Sequence, residues 1–495
     1  MQVFAKAGVD KAFVLAALRA DGIEFEHPES VRRTWIDTFD LRLARAGMRL
    51  ESASGKRTTL TLWETDAPPA YLSGEAAPGF AWDVTPGPFR TRLAEIAGPR
   101  ALLPVATVKA TRSAGVCRNA HAKVVARVTL YDDIVLEDGG ATAMGWAIEL
   151  DGLVGYERAE QRLIKRLEGL GLRGEAGDLF DLAVDDGHLK PTRHDPRPHL
   201  DFGPRERALT GYRRVLSELF ATIEVNWDGA AEDLDAEFLH DLRIAVRRTR
   251  SVLANAERVV PEDDRLKFAD AFHDLAAATS EPRDLDVAAL GWDAAVKDLD
   301  EATAAALEPI RAALERRRAD AHRRLTLVLR SQETQQMLTQ WAAWLDSGRG
   351  HGFDDADRSL RMVVERQLRK LRRKVRKHGI APSAREQHET RKEAKQLRYL
   401  VECFGGLYEP EVRQAFVKHL TKFQDRLGAV RDATLEVALL NSLAAEVAPS
   451  GETLVAIGQL SAALNKRAKP VKAKDTRLFT KAVERKFRSL VESYP

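Results

Sequence analysis

One eleven-residue pattern occurs twice in this chain, and any fold that accommodates it must contain a duplicated unit. Residues 240–250 read H-D-L-R-I-A-V-R-R-T-R, and residues 388–398 read H-E-T-R-K-E-A-K-Q-L-R. At an offset of 148 (388 − 240), His240 superposes on His388, Arg243 on Arg391, Arg247 on Lys395 and Arg250 on Arg398. The same offset carries Arg283-Asp284 onto Arg431-Asp432, so each histidine precedes its Arg-Asp pair by 43 residues (283 − 240 and 431 − 388). On an α-helix, positions 0, 3, 7 and 10 fall within an arc of about 80°. Each copy therefore lines four cation-capable side chains along one stripe. Two such stripes in one duplicated domain suit a cradle for a long polyanion.

Composition narrows the class. A chain of 495 residues holds two or three domains with good cores. The net charge of +3 is nearly balanced, so the basic character is local. Between Arg361 and Arg398 there are fourteen Lys and Arg against four Glu. Two cysteines, Cys117 and Cys403, are too few for a disulfide framework or a cysteine zinc site, and fit a reducing, cytoplasmic setting. The start Met1-Gln2-Val3-Phe4-Ala5-Lys6 does not read as a signal peptide. No run of about 18 apolar residues reads as a membrane span.

The chain divides near residue 185. Before it, β-like runs (Thr58–Trp63, Leu103–Val108, Lys123–Tyr131, Ile134–Leu136, Trp146–Leu150) are framed by helical stretches at Lys11–Asp21 and Gly155–Leu170. This predicts an α+β domain at 1–184 with an antiparallel sheet or barrel. Residues 185–204 carry four prolines and three irregularly spaced histidines (His188, His194, His199), a linker in which no metal site is expected. From 205 to 495 the apolar spacing is helical, with breaks at Asn226–Gly229, Pro261, Pro282, Ser347–Gly352, His378–Pro382, Gly405–Pro410 and Pro449–Gly451. Two halves, 205–346 and 353–495, give two packed helical bundles with pseudo-twofold symmetry.

A phosphate chain presents closely spaced charges and directional acceptors. Arginine matches it with a planar fork that never loses its charge, and lysine adds a mobile point charge. Histidine donates one or two hydrogen bonds, and a surrounding polyanion favours its protonated form. The candidate binding residues are His240, Arg243, Arg247, Arg250, His388, Arg391, Lys395 and Arg398, widened by Arg248 and Lys392. Asp284 and Asp432 either cap the helix that follows or orient the neighbouring arginine, and capping is the preferred reading. No carboxylate cluster, nucleophile or P-loop accompanies the histidines, so catalysis in the helical region is not expected.

The segment His240–Arg250 closely resembles the signature of the CHAD family, the conserved-histidine α-helical domain. So does the second copy, with His388, Arg391, Lys395, Arg398 and Tyr399, then Phe423-Gln424-Asp425-Arg426-Leu427-Gly428 and Arg431-Asp432. The resemblance covers roughly residues 205–495. It implies a pseudo-symmetric helical domain that binds inorganic polyphosphate in a basic central channel, in a family associated with bacterial polyphosphate granules and their proteins.

The first 185 residues resemble a degenerate CYTH domain, the triphosphate-tunnel fold of antiparallel strands. The resemblance rests on Trp35–Leu50 and on Ala147-Ile148-Glu149-Leu150, where Glu149 matches a metal-binding carboxylate. The family's N-terminal E-x-E-x-K motif is missing, and Leu60-Thr61-Leu62-Trp63 offers no basic side chain. Metal binding and hydrolysis are therefore expected to be weak. Arg42, Arg49, Lys109, Arg112, Lys123 and Arg127 are either phosphate contacts or solvated strand residues.

The expectation is a non-catalytic polyphosphate-binding protein without metal or cofactor, not at a membrane, cytoplasmic and at polyphosphate granules. The rival readings are a metal-dependent inorganic triphosphatase or polyphosphatase in the N-terminal domain, and a nucleic-acid binder. Nucleic acid is disfavoured because the stripes lack interleaved aromatics, Tyr399 excepted.

Overall fold

The computed structural model describes the chain except residues 1, 6–7, 56–57, 66, 186, 188–199, 380–383, 468–472 and 493–495. The histidines at 188, 194 and 199 and part of the 378–382 break lie outside the described residues. The chain forms two compact units, Met1–His194 and Asp195–Pro495.

The first unit runs β1 (Gln2–Ala5), α1 (Lys11–Ala20), β2 (Glu24–Phe25), β3 (Glu29–Thr38), α2 (Arg42–Arg45), β4 (Met48–Ser54), β5 (Thr59–Glu64) and β6 (Ala67–Ser73). It continues with α3 (Pro88–Ala97), β7 (Leu102–Arg118), β8 (Val124–Glu137), β9 (Ala141–Gly152), α4 (Glu157–Gly169), β10 (Arg173–Ala176) and α5 (Leu179–Asp185). The strands described form an antiparallel sheet in the order β10-β1-β9-β8-β7-β3-β4-β5-β6, with β2 beside β7. The runs Lys123–Tyr131 and Ile134–Leu136 belong to one strand, β8. A bulge lies between Tyr131 and Ile134, where Asp133 adopts φ 50° and the register shifts.

The sheet is strongly curved. Arg33 on β3 touches Glu149 on β9 at 3.1 Å, although β7 and β8 separate these strands by roughly 14 Å in a flat sheet. Alternation then gives each strand an inner and an outer face. Val3, Trp35, Val108, Tyr131 and Ala147 point inward and pack on Leu179, Phe180 and Leu182 of α5. Phe4, Val128, Ile148 and Leu150 point outward and pack on Val14 and Leu18 of α1 and Leu163 and Leu167 of α4.

The second unit contains α6 (Ala208–Ala231), α7 (Ala236–Ala254), α8 (Glu262–Ala278), α9 (Ser280–Val296), α10 (Glu301–Ala306), α11 (Glu308–Leu329) and α12 (Gln332–Asp346). These are followed by α13 (Leu360–Gly379), α14 (Ala384–Cys403), α15 (Pro410–Val447), α16 (Gly451–Arg467) and α17 (Ala473–Glu492). The offset of 148 carries the first residues of α7 and α8, Ala236 and Glu262, onto those of α14 and α15, Ala384 and Pro410. The duplication thus extends from side chains to helix boundaries. In the second copy, α15 spans the positions that α8 and α9 share in the first.

Local chemistry explains the starts. Asp235 caps α7 by accepting from the backbone N–H groups of Glu237 (2.8 Å) and Phe238 (3.1 Å), an arrangement worth about 1 kcal/mol. Pro261 precedes α8, whose first turn carries Glu262, Asp263 and Asp264 at the positive end of the helix dipole.

The expected break at Asn226–Gly229 is absent, because α6 continues through it. Asn226 is buried, and its amide donates to the Thr222 carbonyl at 2.8 Å. Gly229 is there for contact: a Cβ on it would lie 2.4 Å from the Phe238 ring of α7. The halves share a core in which Leu285, Trp292, Leu314 and Ala321 meet Leu440, Leu443, Leu460 and Leu464.

Candidate functional site

Helices α7 and α14, which carry the two basic stripes, pack against each other. Arg243 is near enough to Tyr399, and Arg247 to Lys395, for these groups to interact electrostatically across the two helices. Position 247 is equivalent to 395 (247 + 148), so equivalent residues of the two copies come together here.

Beside them lies a cleft of about 490 Å³. Arg247 and Arg250 line it from α7, Arg391, Lys392 and Lys395 from α14, and Arg431 from α15. Ser251, Ala254, Asp270, His273, Gln396 and Tyr399 complete the wall. Cations at this density repel one another. Lys395 is pulled down to about 8, first by burial and then by Arg247, Arg391 and Arg398, with Asp432 opposing. Burial and Arg247 also lower Arg250, and the same two causes lower Arg243.

The remaining stripe residues have other positions. Arg243 donates to the Ala276 carbonyl (3.1 Å), Thr279 Oγ1 (3.2 Å) and Ser280 Oγ (2.8 Å), which ties α7 to the α8–α9 junction. Arg398 donates to Thr421 Oγ1 at 3.2 Å. Arg248 is not a cleft residue: it is 6 % exposed and donates to Glu402 across α7 and α14 at 2.8 Å. Its role is a buried cross-link between the stripes' helices. His240 is half-buried and outside the cleft wall. His388 lies on α14, and its side chain is outside the described residues.

The repeat is preserved in contacts as well as residue types. Arg250 and Arg398 are equivalent, and each reaches the equivalent partner: His273 Nδ1 at 2.9 Å and Thr421 Oγ1 at 3.2 Å (421 − 273 = 148). Arginine only donates, so His273 Nδ1 accepts. Likewise Arg243 reaches Ser280, and Arg391 lies over the equivalent Gly428, where a Cβ would sit 3.0 Å from its Nη2.

Asp284 and Asp432 do not cap helices. Asp284 sits inside α9 and Asp432 in the middle of α15. Burial raises Asp284, while Arg243, Arg247, Arg283 and Arg431 oppose the shift, and Asp432 lies 3.8 Å from Arg391. The aspartates face the stripes, which is the orienting alternative. Sequence reasoning missed His273 and the cleft position of Arg431. The only signal was their membership in the 148 register, with Thr421 and Arg283 as counterparts.

In the first unit, Glu149 is engaged through one oxygen by an arginine. Arg33, which the sequence did not single out, donates to Glu149 (3.1 Å), to both oxygens of Glu51 (2.8 and 2.9 Å), to Asp178 (2.9 Å) and to the Tyr131 hydroxyl (3.2 Å). Burial works against the Arg33 charge, but Glu51, Tyr131 and Glu149 hold its pKa above the usual value. Burial pushes Glu149 up despite Arg33. The inward residues of β1 are Val3 and Ala5, which supply no carboxylate. Arg49 pairs with Asp178 and Asp181, Arg42 with Asp40, Lys109 with Glu137, Arg112 with Glu29, and Arg127 with Asp151.

One further cluster has ligand-like spacing: Asp233, Asp286 and His322 place atoms within 4.8 Å of one another. Arg318 already donates to Asp233 (2.7 Å) and Asp286 (2.8 Å). The cluster is an ion-pair network tying the α6–α7 turn to α9 and α11. Among the described residues, no helix is long and apolar enough to cross a membrane.

Residues 214–441 match the family model of the CHAD domain. The fold is similar to that of the CHAD domain from the plant Ricinus communis, at 23 % identity and a TM-score of 0.50, covering 58 % of this chain and 96 % of that one. PptA from Streptomyces chartreusis matches at 15 % identity and a TM-score of 0.41, over 56 % of this chain and 98 % of that one. HpAC1 from Hippeastrum, a protein with a dominant triphosphatase activity, matches the N-terminal region at 14 % identity and a TM-score of 0.28, over 39 % of this chain and 98 % of that one. No curated protein sequence matches the chain.

Proposed function

We propose, taking residues 214–441 as the CHAD domain they match, that the chain binds inorganic polyphosphate in the cleft between α7 and α14. The observation that carries this reading is the convergence of Arg247, Arg250, Arg391, Lys392, Lys395 and Arg431 on one cleft. Folding has buried Lys395 and brought like charges around it, and burial first, then those charges, lower its pKa to about 8. A polyanion relieves that repulsion, and closely spaced phosphates match closely spaced donors.

The halves 205–346 and 353–495 each contribute one stripe, so the duplication doubles the cation count at a single site. His240, Arg243 and Arg398 belong to the same stripes outside the described cleft wall, and with His388 they support the cleft or extend the track. Arg248 acts through the Glu402 cross-link. Recruitment to polyphosphate granules in the cytoplasm follows if the ligand is long-chain polyphosphate.

The first unit, in this reading, is a non-catalytic scaffold. Supporting it are the packing of α5 on the inward strand residues and the pairing of the buried carboxylates Glu51, Glu149 and Asp178 with Arg33. A tunnel hydrolase needs open carboxylates for a divalent ion and open cations for phosphate. The rival, a metal-dependent triphosphatase, requires that packing to open.

The test is a titration of the full chain with long-chain polyphosphate at near-physiological salt, with single-stranded RNA as competitor. Tight polyphosphate binding that RNA does not displace supports the reading. Equal binding of both polymers contradicts it, because backbone charge alone would then explain the cleft.

A further inference from the structure

The basic run between Arg361 and Arg398 is only partly used by the cleft, whose described wall takes nothing from α13. On α13, Arg366, Arg369, Arg373 and Arg376 are all exposed. Their spacing of 0, 3, 7 and 10 repeats that of the stripes on α7 and α14, and sets them along one face for about 15 Å. Three of them, with Arg361, line a groove of about 450 Å³ that also takes in Ser359 and Glu365.

The first copy shows that the fold does not require this charge. Subtracting 148 carries the four arginines onto Glu218, Ala221, Val225 and Asp228 of α6. Those positions are exposed as well. The same face of the equivalent helix is acidic and neutral in one copy and cationic in the other.

Nearby carboxylates do not balance the arginines. Glu365 accepts from Arg361 at 2.9 Å and from Arg369 at 3.3 Å. Asp355 accepts from Arg366 and is also paired with Arg258 (3.1 Å) and Arg358 (2.9 Å). Even with Asp354, 3.9 Å from Arg258, five arginines face three carboxylates. Arg373 adds a further charge, and its Nε donates to an uncharged partner, the Arg369 carbonyl, at 3.4 Å.

From this excess charge we infer that the outer face of α13 is a second site for linear polyphosphate, distinct from the cleft, so that one protein holds two short chains or bridges two long ones. The inference takes the identity of the ligand from the function proposed above. Guanidinium forks take phosphate oxygens in pairs, and a row of them follows successive phosphates. Nucleic acid fits less well. None of the described lining residues is aromatic, so a base finds no stacking platform there.

The experiment is a calorimetric titration of the full chain with short-chain linear polyphosphate at near-physiological salt. Wild type should saturate at two chains per protein. Arg369→Ala/Arg373→Val/Arg376→Asp gives α13 the side chains that α6 carries at the equivalent exposed positions, and should saturate at one. Arg369→Gln/Arg373→Gln adds no acid and should weaken the second site roughly tenfold, which guards against misfolding of the triple variant. Arg247→Ala/Lys395→Ala should remove the cleft site and leave the α13 site. Saturation of the wild type at one chain, with stoichiometry and affinity unchanged in the α13 variants, overturns the inference and leaves the cleft standing. Loss of all binding in the α13 variants, with the cleft variant unaffected, overturns the cleft reading instead. Single-stranded RNA that displaces polyphosphate from the cleft variant overturns the assignment of the ligand. A wild type that binds no polyphosphate overturns both readings.

Discussion

Arg247 and Lys395 occupy the same position of the two repeats and line the same cleft. After burial, Arg247 is the largest influence holding Lys395 at about 8. One residue of the pair always carries charge, and the other titrates within reach of ordinary buffers.

That relationship sets a pH dependence. A bound polyanion favours the charged ammonium and raises the Lys395 pKa above its free value of about 8. Binding then takes up a proton at any pH between the free and bound values. Affinity is level well below pH 8 and falls as pH rises through 8 and beyond. Calorimetric titrations at pH 8.5 in two buffers of different ionisation enthalpy should report this uptake. Lys395→Arg should remove it while keeping the affinity.

Asp432 works against the cations it faces. It lies 3.8 Å from Arg391 and holds Lys395 higher than the arginines alone would. Asp432→Asn should therefore lower the Lys395 pKa further below 8 in the free protein. It should also strengthen polyphosphate binding at low salt, by an amount that screening removes as salt rises. NMR titration of the lysine side chain reads the first effect.

Arg33 is surrounded by Glu51, Glu149 and Asp178 inside the first unit. Removing it leaves buried carboxylates without their cation, a loss on the order of 3–5 kcal/mol. Arg33→Met should lower the melting temperature of this unit sharply. Polyphosphate affinity should be unchanged, since the described residues that line the cleft all belong to the second unit.

Glu149 accepts from Arg33 through one of its oxygens, and the proposed scaffold role of the first unit predicts no hydrolysis there. Incubation of the full chain with tripolyphosphate and Mn²⁺ should release no phosphate above the level given by Glu149→Gln. Release that the substitution abolishes would instead establish the first unit as a hydrolase.

Much of the helical unit was legible because a repeat fixes register without any structure. The offset that aligned His240 with His388 also aligned Ala236 with Ala384, the first residues of α7 and α14. Periodicity placed Arg247, Arg250, Arg391 and Lys395 on common stripes, but one stripe contains both cleft and buried positions. Arg248 read as an additional cation, and only the packing of α7 on α14 shows its pairing with Glu402. Proximity in sequence to a following helix made Asp284 and Asp432 look like caps. That reading failed because α9 begins at Ser280 and α15 runs through residue 432. The β unit was harder to read. A bulge at Asp132-Asp133 split β8 into two apparent strands, and Arg33 lies in a run, Val31-Arg32-Arg33-Thr34, whose alternation gives no sign that it is buried.

The central claim is that Arg247 and Lys395 bind the phosphate chain. Its most direct test is the polyphosphate affinity of wild type and Arg247→Ala/Lys395→Ala, measured across a range of salt concentrations. Loss of two phosphate contacts should weaken binding at every concentration and reduce the slope of log affinity against log salt by roughly 1.4, taking the single-strand value per contact. Circular dichroism should show the helices intact. An unchanged slope and affinity in a folded double variant would contradict the account and leave the paired stripes as a structural feature of the duplicated fold.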